Sequence, residues 1–329
     1  METEKKRITF IVNPISGTRS KEGLDKKIAK AIDSSRYEWQ MVMTQRAGHA
    51  VEIARQCVAE GTDICVAVGG DGTVNEVASG LTGSTTALGI IPMGSGNGLA
   101  RHLCLPMSVK GALDIINQVE TAQFDYGLIN DHPFFCTCGM GFDAYVSLKF
   151  AQSGKRGLMT YAKMVLREGL RYQYDTYTIT FEDEQGKEQQ YEAFLVACAN
   201  AAQYGNNTYI APCASMQDGL LDVIIIEKIS NMAATKVLTE LFTKTLYSNP
   251  HVRHFQAKSI HIHRPTEGAA HFDGDPTVMG TDIKVQIVPR GLWAVVNASA
   301  VEDPARPNVV MKRLMHPLGG KKTTTEPII

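Results

Sequence analysis

The chain has 329 residues, more than one average domain and about right for two. Hydrophobic residues make up 44% and charged residues 20%, a balance that suits a packed protein and excludes wholesale disorder. Lys plus Arg is 33 against 34 Asp plus Glu, a formal net charge of -1, so the chain lacks the basic excess of a dedicated nucleic-acid binder.

In chain order, the first third alternates short apolar runs with helix-like stretches. Residues 8–12, 37–43, 64–68 and 87–91 read as strands, and residues 21–32, 50–59 and 73–81 as helices. Apolar strands alternating with helices predict a parallel sheet covered on both faces. After about residue 124, two-residue alternation dominates: residues 174–181, 191–198, 220–226, 259–263, 282–288 and 291–296 read as strands. Turn signals at residues 183–186 and 289–291 separate some of them, and helices are expected near 158–170 and 231–246. This predicts a second, mostly antiparallel β domain, followed by a loose Pro-, Lys- and Thr-rich tail over 304–329.

No uncharged apolar run approaches the roughly 20 residues of a membrane helix. The N-terminus enters a strand-like segment with no signal-peptide stretch. Seven cysteines, an odd number without a CxxC pair, suit a reduced cytosolic compartment; Cys136 and Cys138 share one face of an expected strand.

The strongest local signal runs from Val66 through Gly69, Gly70, Asp71, Gly72, Thr73, Val74 and Asn75 to Glu76. A buried strand ends in a glycine turn and a helix begins. Glycine lets backbone approach a ligand closely, and a helix N-terminus offers free N–H groups to a phosphate. Asp71, at the tip, suits Mg²⁺ or a substrate hydroxyl. The spacing from Thr73 to Glu76 also reads as a capping box, which needs no ligand. A second such turn follows the next strand, through Gly94, Ser95, Gly96, Asn97 and Gly98, and a third candidate is Asn13 to Gly17 with Ser16. In a parallel sheet these loops share the rim at the carboxyl ends of the strands, which predicts phosphate binding. Neither GxxxxGK[ST] nor GxGxxG follows the first strand, so neither a P-loop nor an ordinary dinucleotide site is indicated.

Lys155, Arg156, Lys163, Arg167 and Arg171 cluster with interleaved apolar residues, countered locally by Glu168. The cluster reads either as an interfacial patch for anionic lipid or as a solvated helix face. His251 and His254, and His261 and His263, have metal-like spacing but no evident Cys or acidic partners, so they read as ordinary histidines. No G-x-S-x-G elbow appears.

In combination and order, Asn13-Pro-x-Ser16-Gly17, Gly69-Gly-Asp-Gly-Thr73 and Gly94-Ser-Gly-Asn97 resemble the diacylglycerol kinase catalytic-domain family. That family includes bacterial lipid kinases and diacylglycerol, sphingosine and ceramide kinases. The likeness continues through Gly139-Met-Gly-Phe-Asp143, Lys155-Arg156-Gly157, the Pro212 to Asp222 segment and Phe272-Asp273-Gly274-Asp275.

The resemblance implies an N-terminal doubly wound α/β nucleotide domain over residues 1–126, with the strand near 292–298 returning to it. It implies a β-sandwich lipid-substrate domain over 127–291 and an active site in the cleft between. It implies ATP contacts from Thr44, from Gly69 to Asn75 and from Ser95, supported by Asn97. Mg²⁺ would be held at Ser215, Asp218 and Leu220; read by itself, Asp218-Gly219 is a hairpin turn. Asp143 would meet the lipid head, although it also suits an N-cap for a helix beginning near Ala144.

The family has Glu as proposed base where Asp275 stands, one methylene longer. Asp275 and Asp71, which leads the phosphate loop, are the two candidates for the base; the favoured assignment gives Asp275 the hydroxyl proton, with Asp71 handling Mg²⁺ and phosphate. Ser95 in GSGN, where Thr is common, leans toward the sphingoid-type branch. The implied activity is ATP-dependent phosphoryl transfer to a lipid hydroxyl. The implied setting is a peripheral one at a cytoplasmic membrane surface, without a transmembrane span or nucleic acid, and with room for a homodimer. The alternatives are an NAD kinase-like small-molecule kinase, which shares GGDGT, and a nucleotide- or lipid-binding protein without catalysis.

Overall fold

In the computed structural model the described residues are 5–16, 21–118, 120–153, 164, 167–169, 172–182, 186 and 188–297. The expected tail and the Gly17 position lie outside them. The described chain divides into two compact units. One takes the residues up to Asp125 together with those after Pro289; the other is Tyr126–Pro289.

The first unit is built on strands whose side chains are apolar on both faces. β3 (Ile64–Gly69) is buried at every residue, as is β4 (Ala87–Pro92). Such strands need helices above and below. β3 pairs in parallel with β4 on one side and with β1 (Lys6–Val12) on the other, and β1 pairs in turn with β2 (Tyr37–Met43). The helices are α1 (Leu24–Ala31), α2 (His49–Ala59), α3 (Asp71–Leu81), α4 (Gly98–His102) and α5 (Val109–Gln118). α2 packs on α3 and α1 on α5. Register sets where the loops leave the sheet: Val12 lies beside Met43 and Val68, and Val68 beside Ile91. The segments after β1, β2, β3 and β4 therefore start at one level along one rim.

The second unit pairs its strands antiparallel. In order these are β5 (Thr121–Ile129, begun in the first unit), β6 (His132–Phe134), β7 (Thr137–Gly141), β8 (Asp175–Phe181), β9 (Glu188–Ala199), β10 (Leu221–Glu227), β11 (Val252–Ala257), β12 (Ser259–His263), β13 (Gly268–Phe272), β14 (Asp275–Met279) and β15 (Asp282–Val295). Among the described residues they are joined by helices α6 (Phe142–Gln152) and α7 (Asn231–Thr243), while most of the helix expected near 158–170 lies outside the described residues.

Strand alternation splits the core in two. Val196 and Cys198 of β9, with Val223 and Ile225 of β10, enter a cluster built between strands. Their neighbours Leu195, Ala197, Ile224 and Ile226 enter a second cluster with Phe142 and Val146 of α6 and Val237 of α7. Burying each large aliphatic side chain contributes ~1.5–3 kcal/mol.

Two expectations change. Residues 282–288 and 291–296 form one strand, β15, not two separated by a turn. Arg290 takes a left-handed conformation (φ 51°), and its N–H donates to the buried carboxylate of Asp125 at 2.7 Å. One such residue bends a strand without ending it. The helix expected from Ala144 also starts two residues earlier: α6 begins at Phe142 after Gly141 (φ 103°), so Asp143 lies in its first turn rather than at its cap.

Candidate active site

The rim of the first unit brings the expected loop residues together. Asn13 follows β1, and its Nδ2 donates to Thr73 Oγ1 at 3.3 Å. Its Oδ1 accepts from the amide of Ile15 at 3.2 Å, and its carbonyl from the Ser16 hydroxyl at 3.2 Å. Gly69 is glycine for a local reason: a Cβ would lie 2.4 Å from Thr73 Oγ1 and 2.9 Å from Ser16 Oγ. Gly70 and Gly94 pass so closely that a Cβ on Gly94 would fall 2.7 Å from Gly70 Cα.

Asp71 joins the two glycine turns. Its Oδ2 accepts the N–H of Asn97 at 2.9 Å and its Oδ1 that of Gly98 at 2.7 Å. Asn97 takes a left-handed conformation and closes its turn through Gly94, accepting from the amide at 3.0 Å and donating to the carbonyl at 2.8 Å. Ser95 is exposed, whereas Thr73, Val74 and Asn75 are buried in the start of α3. Thr44 is buried directly after β2, its N–H donating to Val12 at 2.9 Å.

The capping-box reading of Thr73 and Glu76 does not hold. α3 carries no side-chain cap. Glu76 instead accepts from Gly48 at 3.0 Å and Ala50 at 3.1 Å, bracing the start of α2. The amides of the first turn of α3 have no partner within the helix, as at any helix start. Sequence reading missed Lys21. Its ammonium donates to the Ser16 carbonyl and, at 3.4 Å, to Ser16 Oγ. Burial lowers its pKa. A lysine four residues past the Asn13-to-Gly17 segment was the available signal.

In the second unit, Phe272 and Asp275 face each other across a two-residue hairpin of Asp273 (φ 49°) and Gly274 (φ 88°). Asp-Gly suits two positive φ angles. Asp273 is committed to structure: its carboxylate accepts the amides of Phe135 at 2.9 Å, Cys136 at 2.7 Å and Thr137 at 3.1 Å. Asp275 stands exposed at the head of β14. Asp143 Oδ1 accepts the amide of Ala144 at 2.8 Å, while Oδ2 accepts from Tyr204 Oη at 2.8 Å and from His271 Nε2 at 3.0 Å.

Asp218 is exposed in a turn entering β10, with Gly219 at φ 72°, and its Oδ1 accepts the Leu220 amide at 3.1 Å. This segment is no hairpin, because residues 211–220 are irregular. Ser215 lies in the same irregular segment, its Oγ accepting the Gln217 amide at 3.3 Å. Among the described residues no group of three His, Cys, Asp or Glu could hold a metal ion.

His254, His261 and His263 do have acidic partners. His254 Nε2 lies 2.6 Å from the fully buried Asp222 and stacks on Tyr247 at 4.1 Å; His263 Nδ1 lies 2.9 Å from Asp282. Strand pairing of β10 with β11, and of β12 with β15, brings these distant residues together. In the expected basic cluster, Lys155, Arg156, Lys163 and Arg171 lie outside the described residues. Arg167 pairs with Glu168 at 2.8 Å.

The chain matches the diacylglycerol kinase catalytic domain over residues 7–129 and the YegS C-terminal NAD kinase beta sandwich-like domain over 136–296. It is 29% identical over 277 residues to a protein named diacylglycerol kinase from Staphylococcus aureus strain MRSA252, covering 82% of this chain and 86% of that one. Two solved structures from Bacillus anthracis share the fold. A diacylglycerol kinase is 21% identical with a TM-score of 0.70, and a putative one is 23% identical with 0.71; each match covers 90% of this chain and 99% of the other. An NAD kinase from Archaeoglobus fulgidus, solved with ATP, is 13% identical with a TM-score of 0.53, covering 93% of this chain and 98% of that one.

Proposed function

The chain belongs to the diacylglycerol kinase catalytic-domain family, and from that premise we propose that it moves the γ-phosphoryl group of ATP onto a lipid hydroxyl. One observation carries the nucleotide half of this reading: the turns after β1, β3 and β4 are tied to one another by Asn13–Thr73, Gly70–Gly94 and Asp71–Asn97. Tied turns present backbone amides in a fixed array, which is what phosphate oxygens require. Phosphoryl transfer needs positioning and charge stabilisation more than covalent chemistry.

In this reading Asn13, Ser16, Thr44, Gly69 to Asn75, and Gly94 to Asn97 hold the nucleotide. Gly17 belongs to the same loop by sequence. Lys21 adds a positive charge beside Ser16. Asp71 positions the turns through its two amide contacts. Asp275, exposed at the head of β14, accepts the hydroxyl proton, and Asp143 meets the lipid head.

Ser215, Asp218 and Leu220 would hold Mg²⁺. A single carboxylate with neighbouring carbonyls is an all-oxygen donor set and fits a hard cation. An ion held by these residues would supply charge neutralisation for phosphoryl transfer.

The lipid acceptor implies work at a membrane surface. Among the described residues no helix is long and apolar enough to cross a membrane. The fold alone does not choose the acceptor, because an NAD kinase shares it. The tandem domain matches favour the lipid.

The test is incubation with γ-labelled ATP, Mg²⁺ and vesicles carrying diacylglycerol, a sphingoid base or ceramide, with NAD as the non-lipid acceptor. Label in a lipid product is expected. Label in NADP alone, or in no product, overturns the proposal.

A further inference from the structure

We propose that Tyr204 and His271 are positioning residues that hold the Asp143 carboxylate in one orientation and leave it a single acceptor site for the head of the lipid. The inference rests on the lipid-kinase reading and adds to it two residues that no motif singles out. Three parts of the second unit converge on this carboxylate: α6 carries Asp143, β13 carries His271, and the segment after β9 carries Tyr204. A carboxylate offers about four lone-pair sites. The Ala144 amide takes one on Oδ1, and Tyr204 Oη and His271 Nε2 take two on Oδ2. One site remains, on a side chain 13% exposed.

The cradle is itself fixed. Because the carboxylate accepts, His271 Nε2 carries the donated proton. His271 Nδ1 is buried without a protein partner, so a proton placed there would be stranded, and the Nε2–H tautomer is the one the site accommodates. The His271 side chain is 3% exposed, and the ring of Tyr204 meets it edge-on at 6.1 Å. Gly139 of β7 supplies the room. A Cβ there would lie 3.2 Å from both Asp143 Oδ2 and His271 Nε2, and 2.8 Å from the Val196 carbonyl. A carboxylate free to rotate could satisfy itself with water. One gripped on three sides presents its last lone pair in a fixed direction, so an acceptor lacking a matching donor is disfavoured.

The experiment uses the full chain with the vesicle-borne lipid that the wild type phosphorylates best. KM for lipid, KM for ATP and kcat are measured for Tyr204→Phe, His271→Phe and His271→Gln, each with a thermal melt. Tyr204→Phe and His271→Phe should raise KM for lipid about tenfold or more, the scale of one hydrogen bond to a charged group, with KM for ATP within about twofold. His271→Gln, which keeps an N–H at the Nε2 position, should recover most of the loss. Should His271→Phe fail to fold, Tyr204→Phe decides alone. Wild-type KM for lipid in Tyr204→Phe, or equal changes in both KM values, overturns this inference while leaving the kinase reading intact. A wild type that phosphorylates no lipid overturns both.

Discussion

Asp71 and Asn97, twenty-six positions apart, are joined by a 2.9 Å hydrogen bond from the Asn97 amide to the Asp71 carboxylate, and Gly98 adds a second at 2.7 Å. Asp71 thereby ties the turn after β3 to the turn after β4. Asp71→Asn keeps one acceptor but turns an amide N–H₂ toward a backbone N–H. Turnover should fall about a hundredfold or more, the scale for losing a preorganised electrostatic contact, while the melting temperature drops by only a few degrees. Steady-state kinetics with labelled ATP and a melting curve check this; near wild-type turnover would remove Asp71 from the site.

Gly94 tests the close passage of the turns. Gly94→Ala places a Cβ 2.7 Å from Gly70 Cα, against backbone that cannot swing aside. KM for ATP should rise at least about tenfold, because misplacing a positioned group by an ångström costs that much or more. Gly280→Ala, where a Cβ would have nothing within 4 Å, is the matched control and should behave as wild type.

Lys21 reaches Ser16, and its charge lies beside the proposed phosphates. Lys21→Met keeps the aliphatic stem and removes the charge. KM for ATP should rise about tenfold, by the loss of a charge-assisted contact, and the increase should shrink as salt screens the wild type. An unchanged KM would leave Lys21 a purely structural tie.

Asp218→Asn tests the cation site. The Mg²⁺ concentration giving half-maximal rate should rise about tenfold, because the carboxylate is the one charged ligand proposed there. KM for lipid should not move. A wild-type Mg²⁺ titration would place the ion elsewhere.

Glu168 gives a pH signature. The Lys149 ammonium, first, and Arg167 beside it hold its carboxyl down at about 2, against an ordinary 4.5. A depressed folded-state value stabilises the protein above pH 4.5, and that contribution is lost as pH falls from 4.5 toward 2. Melting curves between pH 7 and pH 3 should therefore drop more steeply for the wild type than for Glu168→Gln. Parallel curves would contradict the assignment.

Local signals made the first unit legible. Its strands are apolar runs closed by glycine turns, and the same residues that end the strands build the site. The Asp71 contact to Asn97 was not legible, since GGDGT gives no sign of where its carboxylate points. Strands of the second unit that carry glycine or proline were the harder ones to read: β14 escaped, and of β7 only the Cys136-to-Cys138 alternation pointed to a strand. β7 reads Thr-Cys-Gly-Met-Gly and β14 opens Asp-Pro-Thr, both poor by propensity; β7 is fixed by pairing with β9 and β13, and β14 by pairing with β13. His271 and Tyr204 lie 128 and 61 positions from Asp143, and such convergence exists only in the folded sheet. The acidic partners of His254 and His263 were hidden for the same reason.

The most direct measurement is a crystal structure with ADP and Mg²⁺. The account predicts phosphate oxygens within hydrogen-bond reach of the amides that begin α3 and of the Gly94 to Asn97 turn, with the Lys21 ammonium nearby. Nucleotide bound away from these amides, with the three turns empty, would contradict it.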